Sequence, residues 1–86
     1  MKTKYKCPCC GYYTYNVPAE NDIGYICPVC FWENDPFISS NNEPSDSNHS
    51  LTLLEAQKNY KDFGVCEKTM LEYVRPPLEN ELSGID

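Results

Sequence analysis

The stretch Cys7-Pro8-Cys9-Cys10-Gly11, answered by Cys27-Pro28-Val29-Cys30, decides how this chain reads. Sixteen residues separate Cys10 from Cys27, so two Cys-x-x-Cys pairs stand at the spacing of a four-thiolate metal site. A Cys-x-x-Cys turn bends the backbone enough to aim two sulfurs at one point, about 2.3 Å from each, and two such turns complete a tetrahedron. Pro8 and Pro28 pre-set φ inside the turns, so less conformational freedom is lost on ordering them. Gly11 follows the first pair, where positive φ lets the chain leave without a steric clash. Cys7, Cys10, Cys27 and Cys30 are the expected ligands. Zinc is the expected metal and iron the alternative, since tetrahedral sulfur suits both.

Working outward, 86 residues leave room for one domain and no second core. Apolar burial gives so short a chain little net stability, and a metal cross-link is a usual remedy. The metal is therefore expected to be required for folding of the N-terminal third. Six cysteines also raise a disulfide framework. The opening Met1-Lys-Thr-Lys-Tyr5 carries no apolar signal region, which favours metal and a cytoplasmic setting. No apolar run is long enough to cross a membrane. A formal charge of −6 opposes binding to phosphate backbones. The positive charge is thin, with Lys2, Lys4 and Lys6 as an N-terminal stripe, whereas carboxylates dominate 33–46 and 67–86. Such a surface suits a basic protein partner.

Along the chain, 2–10 reads as a strand entering the first turn and Tyr12–Tyr15 as its return, both short and antiparallel. Residues 16–24, with Pro18, Asn21, Asp22 and Gly24, read as a loop. Tyr25-Ile26 leads into the second turn and Phe31-Trp32 leaves it. The aromatic residues around both turns read as the core of a small domain rather than a stacking platform for bases, because no basic residues interleave them. Residues 37–48 are polar and Pro-containing, and predict a flexible, irregular loop. Thr52 and Glu55 form a capping box for a helix whose apolar face is Leu53, Ala56, Tyr60 and Phe63. Gly64 is placed to end that helix in the left-handed conformation. Val65-Cys66 reads as a short extended piece, and 67–74 as a second short helix stopped by Arg75-Pro76-Pro77. The acidic end, 78–86, is expected to fray. The organisation is a metal-binding half over 1–38, a polar loop over 39–50, a helical half over 51–77 and an acidic tail over 78–86.

Five further residues bear on the chemistry. Cys9 reads as an alternative ligand, a thiol activated by the nearby metal charge, or a passive residue pointing away. Cys66 reads as a small buried apolar residue. His49 reads as a polar residue near a helix start, because four thiolates already fill a tetrahedral site. Glu33 and Asp35 read as solvated carboxylates, since no nucleophile–base spacing or phosphate-binding glycine loop accompanies them.

Cys7-Pro-Cys-Cys10-Gly11-Tyr12 followed by Cys27-Pro-Val-Cys30 resembles the rubredoxin iron site. That resemblance implies a one-electron carrier, although Phe31 stands where rubredoxins usually carry a small residue. A wider pattern covers nearly the whole chain. Lys6 to Tyr12, Cys27 to Glu33, Leu53 to Cys66 with its Asn59-Tyr60 and Phe63-Gly64, and Val74-Arg75-Pro76-Pro77 together resemble the CPCC-type cysteine-rich family of small bacterial proteins. This resemblance implies metal binding by the paired cysteines and a helix packed on a ribbon, and it brings Cys9 and Cys66 into the family pattern. The fold expected is thus a small α+β metal-bound domain, a rubredoxin-like zinc ribbon with one packed helix. The function expected is a cytoplasmic, zinc-stabilised, non-catalytic module that binds another protein, as an adaptor or an immunity- or antitoxin-like inhibitor. The alternatives are an iron electron carrier and a nucleic-acid-binding zinc ribbon.

Overall fold

The two cysteine turns are built alike in the computed structural model, which describes residues 4–83. In each, the residue after the second cysteine donates its N–H to the carbonyl of the first, Gly11 to Cys7 at 2.9 Å and Phe31 to Cys27 at 2.8 Å. The first cysteine then donates across the turn, Cys7 to Tyr12 at 2.9 Å and Cys27 to Trp32 at 3.0 Å. This geometry needs the left-handed region at the exit residue, where φ is 80° for Gly11 and 70° for Phe31. Glycine enters that region freely, whereas a side chain is strained there by about 1–2 kcal/mol.

The strands that flank the turns are shorter than the alternation predicts. Among the described residues the antiparallel pairing is limited to isolated bridges, Tyr5 with Tyr15, Ile26 with Glu33, and Ser45 with Leu51. The reason lies in where the next donors go. Tyr13 N–H leaves the hairpin for the Glu81 carbonyl at 2.8 Å. Glu33 N–H donates to Asn48 Oδ1 at 2.8 Å, and Asn48 Nδ2 donates back to the Glu33 carbonyl at 2.7 Å. The Asn48 amide thus takes the place of a neighbouring strand. The strand expected from residue 2 lies partly outside the described residues.

The polar stretch read as an irregular loop has more structure than its composition suggests. Asp46–Asn48 forms a 3-10 turn. The Ser45 N–H donates to the Leu51 carbonyl at 2.9 Å, and Ser50 and Asn48 donate to the Ser45 carbonyl. Ser45 and Asn48 are buried, with the Ser45 hydroxyl donating to Asp35 Oδ2 at 2.8 Å. A second 3-10 turn, Ala19–Asn21, sits in the loop between the two cysteine turns, and the Asn34 side chain clasps its Ala19 carbonyl at 2.7 Å and the Asp22 carbonyl.

Helix α1 spans Leu53–Phe63 and is capped as the sequence dictates. Glu55 N–H donates to Thr52 Oγ1 at 3.1 Å, Thr52 N–H donates to Glu55 Oε1 at 2.9 Å, and Gly64 adopts φ 79°. Leu53 and Ala56 are buried, and Tyr60 packs edge-on against Tyr12 with ring centroids 6.3 Å apart. Burial of one leucine of this kind is worth about 1.5–3 kcal/mol. Phe63 is a correction: it shares the helical period but, as the last residue of α1, one turn beyond Tyr60, it remains 44% exposed. Lys68 Nζ instead lies 5.3 Å from its ring centre. Gln57 reaches the first cysteine turn and donates to the Pro8 carbonyl at 2.8 Å.

After α1 the chain returns to the cysteine turns. Cys66 N–H donates to the Cys30 carbonyl at 2.8 Å, beside the fully buried Val65. The second helix expected over 67–74 is a 3-10 helix, Lys68–Tyr73. The fraying expected from residue 78 onward does not hold over 79–83, where a short helix α2 spans Glu79–Ser83; residues 84–86 lie outside the described part. Arg75 forks onto Glu81 at 2.8 and 2.9 Å, and Leu78 N–H donates to the same carboxylate at 2.7 Å. Arg75 N–H also reaches the Pro28 carbonyl at 3.1 Å, so this clasp touches the second turn while Glu81 touches the first through Tyr13.

The core lies between these parts. Tyr15, Val29, Trp32, Ala56, Cys7, Cys27 and Cys30 are its centre, with Cys10 packed against them half-buried and Tyr25 edge-on against Tyr15 at 5.0 Å.

Candidate metal centre

The two cysteine turns face one another and bring four sulfurs to one point. Cys7, Cys10, Cys27 and Cys30 offer Sγ atoms that all lie within 4.8 Å of each other. Across the pair of turns, Cys7 and Cys30 are 3.6 Å apart and Cys10 and Cys27 are 3.8 Å apart. A regular tetrahedron with metal–sulfur bonds of about 2.3 Å has edges of about 3.8 Å, so these separations match the edges of a metal–sulfur tetrahedron. They are far beyond the roughly 2.05 Å of a disulfide. Cys7, Cys27 and Cys30 are buried, and Cys10 is half-buried at the outer edge. The four sulfurs could hold a metal ion, and the donor set fits zinc and iron alike.

Electrostatics show why these thiols suit a cation. Hydrogen bonds from Cys10, Cys30 and Cys7 pull the Cys27 thiol far below its ordinary value. The hydrogen bond with Cys10 likewise lowers Cys7. Cys30 is driven strongly upward, first by its contact with Cys10 and then by Cys27 and Cys7, and Cys10 rises through its contact with Cys27. Four packed thiols cannot all be negative on their own, because each new charge faces its neighbours in a desolvated site. A bound cation removes that conflict and lets all four act as thiolates.

Outer contacts orient the set. The Thr14 hydroxyl lies 3.2 Å from Cys27 Sγ, placed to donate to a thiolate. Tyr15 is fully buried with its hydroxyl lacking a hydrogen-bond partner. Burial, then the Cys7 charge, pushes its pKa up, so the hydroxyl stays protonated, with no acceptor among the described residues. Sequence reasoning did not single out Thr14 or Tyr15 for this role. Their only visible signal is the aromatic and β-branched run Tyr12–Tyr15, which reads as a strand.

The other singled-out residues stand apart from the four. Cys9 is buried at 7% exposure and borders Cys30, but it is not one of the converging sulfurs. Cys66 is buried, and burial followed by the Cys9 charge pushes its thiol up to about 12, so it is a neutral, inert group near pH 7. His49 is exposed and its Nδ1 lies 2.7 Å from Glu67 Oε1. Asp35 accepts from Ser45 and from Phe37 N–H, and serves the 45–51 turn.

No described helix is long and apolar enough to cross a membrane. A family model described as Cysteine-rich CPCC matches residues 5–81, which takes in both cysteine turns, α1 and the Arg75–Glu81 clasp. No curated protein and no solved structure matches the chain.

Proposed function

The chain belongs to the cysteine-rich CPCC family, and on that premise we propose a zinc-binding protein whose metal is structural and whose work is to bind another protein. The observation that carries the metal reading is the convergence of four thiols from two matched turns, with the Cys7–Cys30 and Cys10–Cys27 separations matching tetrahedral edges. Zinc held by four thiolates would have no open position for water or substrate, so its contribution is to the fold and not to a reaction. In modules of this size that contribution is about 10–16 kcal/mol of apparent binding free energy. Cys7 and Cys10 would fix the first turn, Cys27 and Cys30 the second, and the helical half would pack on the result.

The interaction reading rests on the surface. The formal charge is −6, and large apolar side chains such as Ile26, Leu71 and Tyr73 stand exposed. That combination favours a basic protein partner over nucleic acid. An adaptor or an inhibitor of a basic protein fits it, and no reaction is assigned to the chain.

The test is photo-crosslinking of the metal-loaded full chain in its own host, with identification of what is captured. A defined basic protein, bound in fixed stoichiometry and lost when a chelator unfolds the cysteine turns, supports the reading. A chain that crosslinks to nothing, or that carries iron and cycles one electron reversibly, overturns it.

A further inference from the structure

Backbone strain gathers in one place on this surface. Among the described residues, positive φ outside glycine occurs at Phe31 (70°), His49 (57°) and Ser50 (66°). Phe31 and His49 both line a cavity of about 340 Å³ between the second cysteine turn, the 45–51 turn and the Lys68–Tyr73 turn. That volume is within the range of sites that enclose a small ligand or an anchoring side chain. The Phe31 and Tyr73 rings form an aromatic wall, with centroids 5.7 Å apart and planes tilted by 31°. Ile26 and Met70 add apolar surface, and Tyr73 is 61% exposed. The acidic residues that line the cavity are Glu33 and Glu67; Glu67 Oε1 lies 2.7 Å from His49 Nδ1 and its Oε2 accepts from the Thr69 hydroxyl at 3.2 Å, and no lysine or arginine among the described residues lines it.

We propose that this cavity receives an arginine side chain of a basic partner protein. This rests on the protein-interaction reading above and names the site that performs it. A guanidinium is planar and weakly hydrated, stacks on aromatic faces, and presents a fork of N–H donors to carboxylates. Its apolar stem packs on surfaces such as Ile26 and Met70 while the head meets charge. The Phe31–Tyr73 wall supplies the aromatic face, and Glu33 and Glu67 supply the acceptors. A glycine at position 31 would close the turn without strain, as Gly11 does in the first turn. Phenylalanine is held there against its backbone preference, and the ring it gains is the one that walls the cavity.

The experiment is an NMR titration of the zinc-loaded full chain with an acetylated, amidated Gly-Arg-Leu-Arg-Gly peptide, beside its citrulline counterpart. The expected result is saturable shifts at Phe31, Glu33, Glu67 and Tyr73, at least tenfold weaker binding of the citrulline peptide, and loss of affinity at high salt. Phe31→Gly and Glu67→Gln should each weaken the arginine peptide about tenfold with the rest of the spectrum unchanged. Equal binding of the two peptides, or shifts confined to other surfaces, overturns the site. The crosslinking experiment separates the two readings. A partner that still captures Phe31→Gly as well as the parent chain removes this site and leaves the interaction reading standing. A parent chain that captures no partner removes the interaction reading itself.

Discussion

The first and second cysteine turns share one hydrogen-bond pattern and differ in the residue that closes it. Gly11 leaves the first turn at φ 80° and Phe31 leaves the second at φ 70°. The backbone path is therefore set by the demand that two sulfurs aim at one point, and not by the preference of the residue that follows. Where nothing else is asked of the exit position, glycine occupies it: a Cβ built at Gly11 meets no atom within 4 Å. Where the exit position also walls a cavity, a bulky side chain occupies it at a cost. The turns teach that a packed cluster of four converging cysteines can hold strain that an isolated hairpin of this length would shed.

The largest effect should come from removing the shared demand. Cys30→Ser takes one of four ligands, and with it most of the roughly 10 kcal/mol or more that a structural metal contributes. The N-terminal half should lose its circular dichroism signature and its metal together; a native spectrum with bound metal would break the comparison at its root. Cys9→Ser is the control, because Cys9 lies outside the converging four, and it should retain the metal.

A smaller effect is expected from the clasp that ties both turns to α2. Glu81 is 6% exposed and accepts from Arg75 and Leu78, so Glu81→Gln should cost about 1.5–3 kcal/mol in denaturant unfolding. Arg75 and the Leu78 N–H hold the Glu81 carboxyl below its ordinary value, despite burial. A depressed folded pKa means that the contribution is present above the unfolded value of about 4.3 and drains as pH falls through the folded value. The parent chain should therefore lose this increment in acid, whereas Glu81→Gln should show no such loss from the clasp.

The smallest and sharpest test swaps the exit residues. Gly11→Ala should destabilise by about 1 kcal/mol from backbone strain alone, since its Cβ meets nothing. Phe31→Gly and Phe31→Ala both lose the ring, but only the glycine relieves the strain, so it should be the more stable by about 1 kcal/mol. Equal stability of the two variants would show that position 31 is unstrained.

These differences also mark what the sequence could disclose. The clustering of Cys7, Cys10, Cys27 and Cys30 was legible because Cys-x-x-Cys spacing is local chemistry, and α1 was legible because Thr52, Glu55 and Gly64 act on their own helix. The ribbon strands were not. Their hydrogen bonds go to Glu81 and to the Asn48 side chain, and no periodicity within 5–34 announces partners so distant. Glu81 lies in the acidic end that composition reads as fraying, and its burial becomes visible only with Arg75 beside it. Phe63 kept the helical period but, as the last residue of α1, stays exposed. Phe31 read as a departure from a small-residue position, and its strained φ appears only once both turns are compared.

The proposed structural metal on four thiolates is open to direct measurement. The direct measurement is elemental analysis of protein purified from its own host, with a visible spectrum recorded on the same sample. One equivalent of zinc per chain and no colour is the predicted result. A folded chain without metal would contradict the account, and so would one equivalent of iron with a red, reducible chromophore.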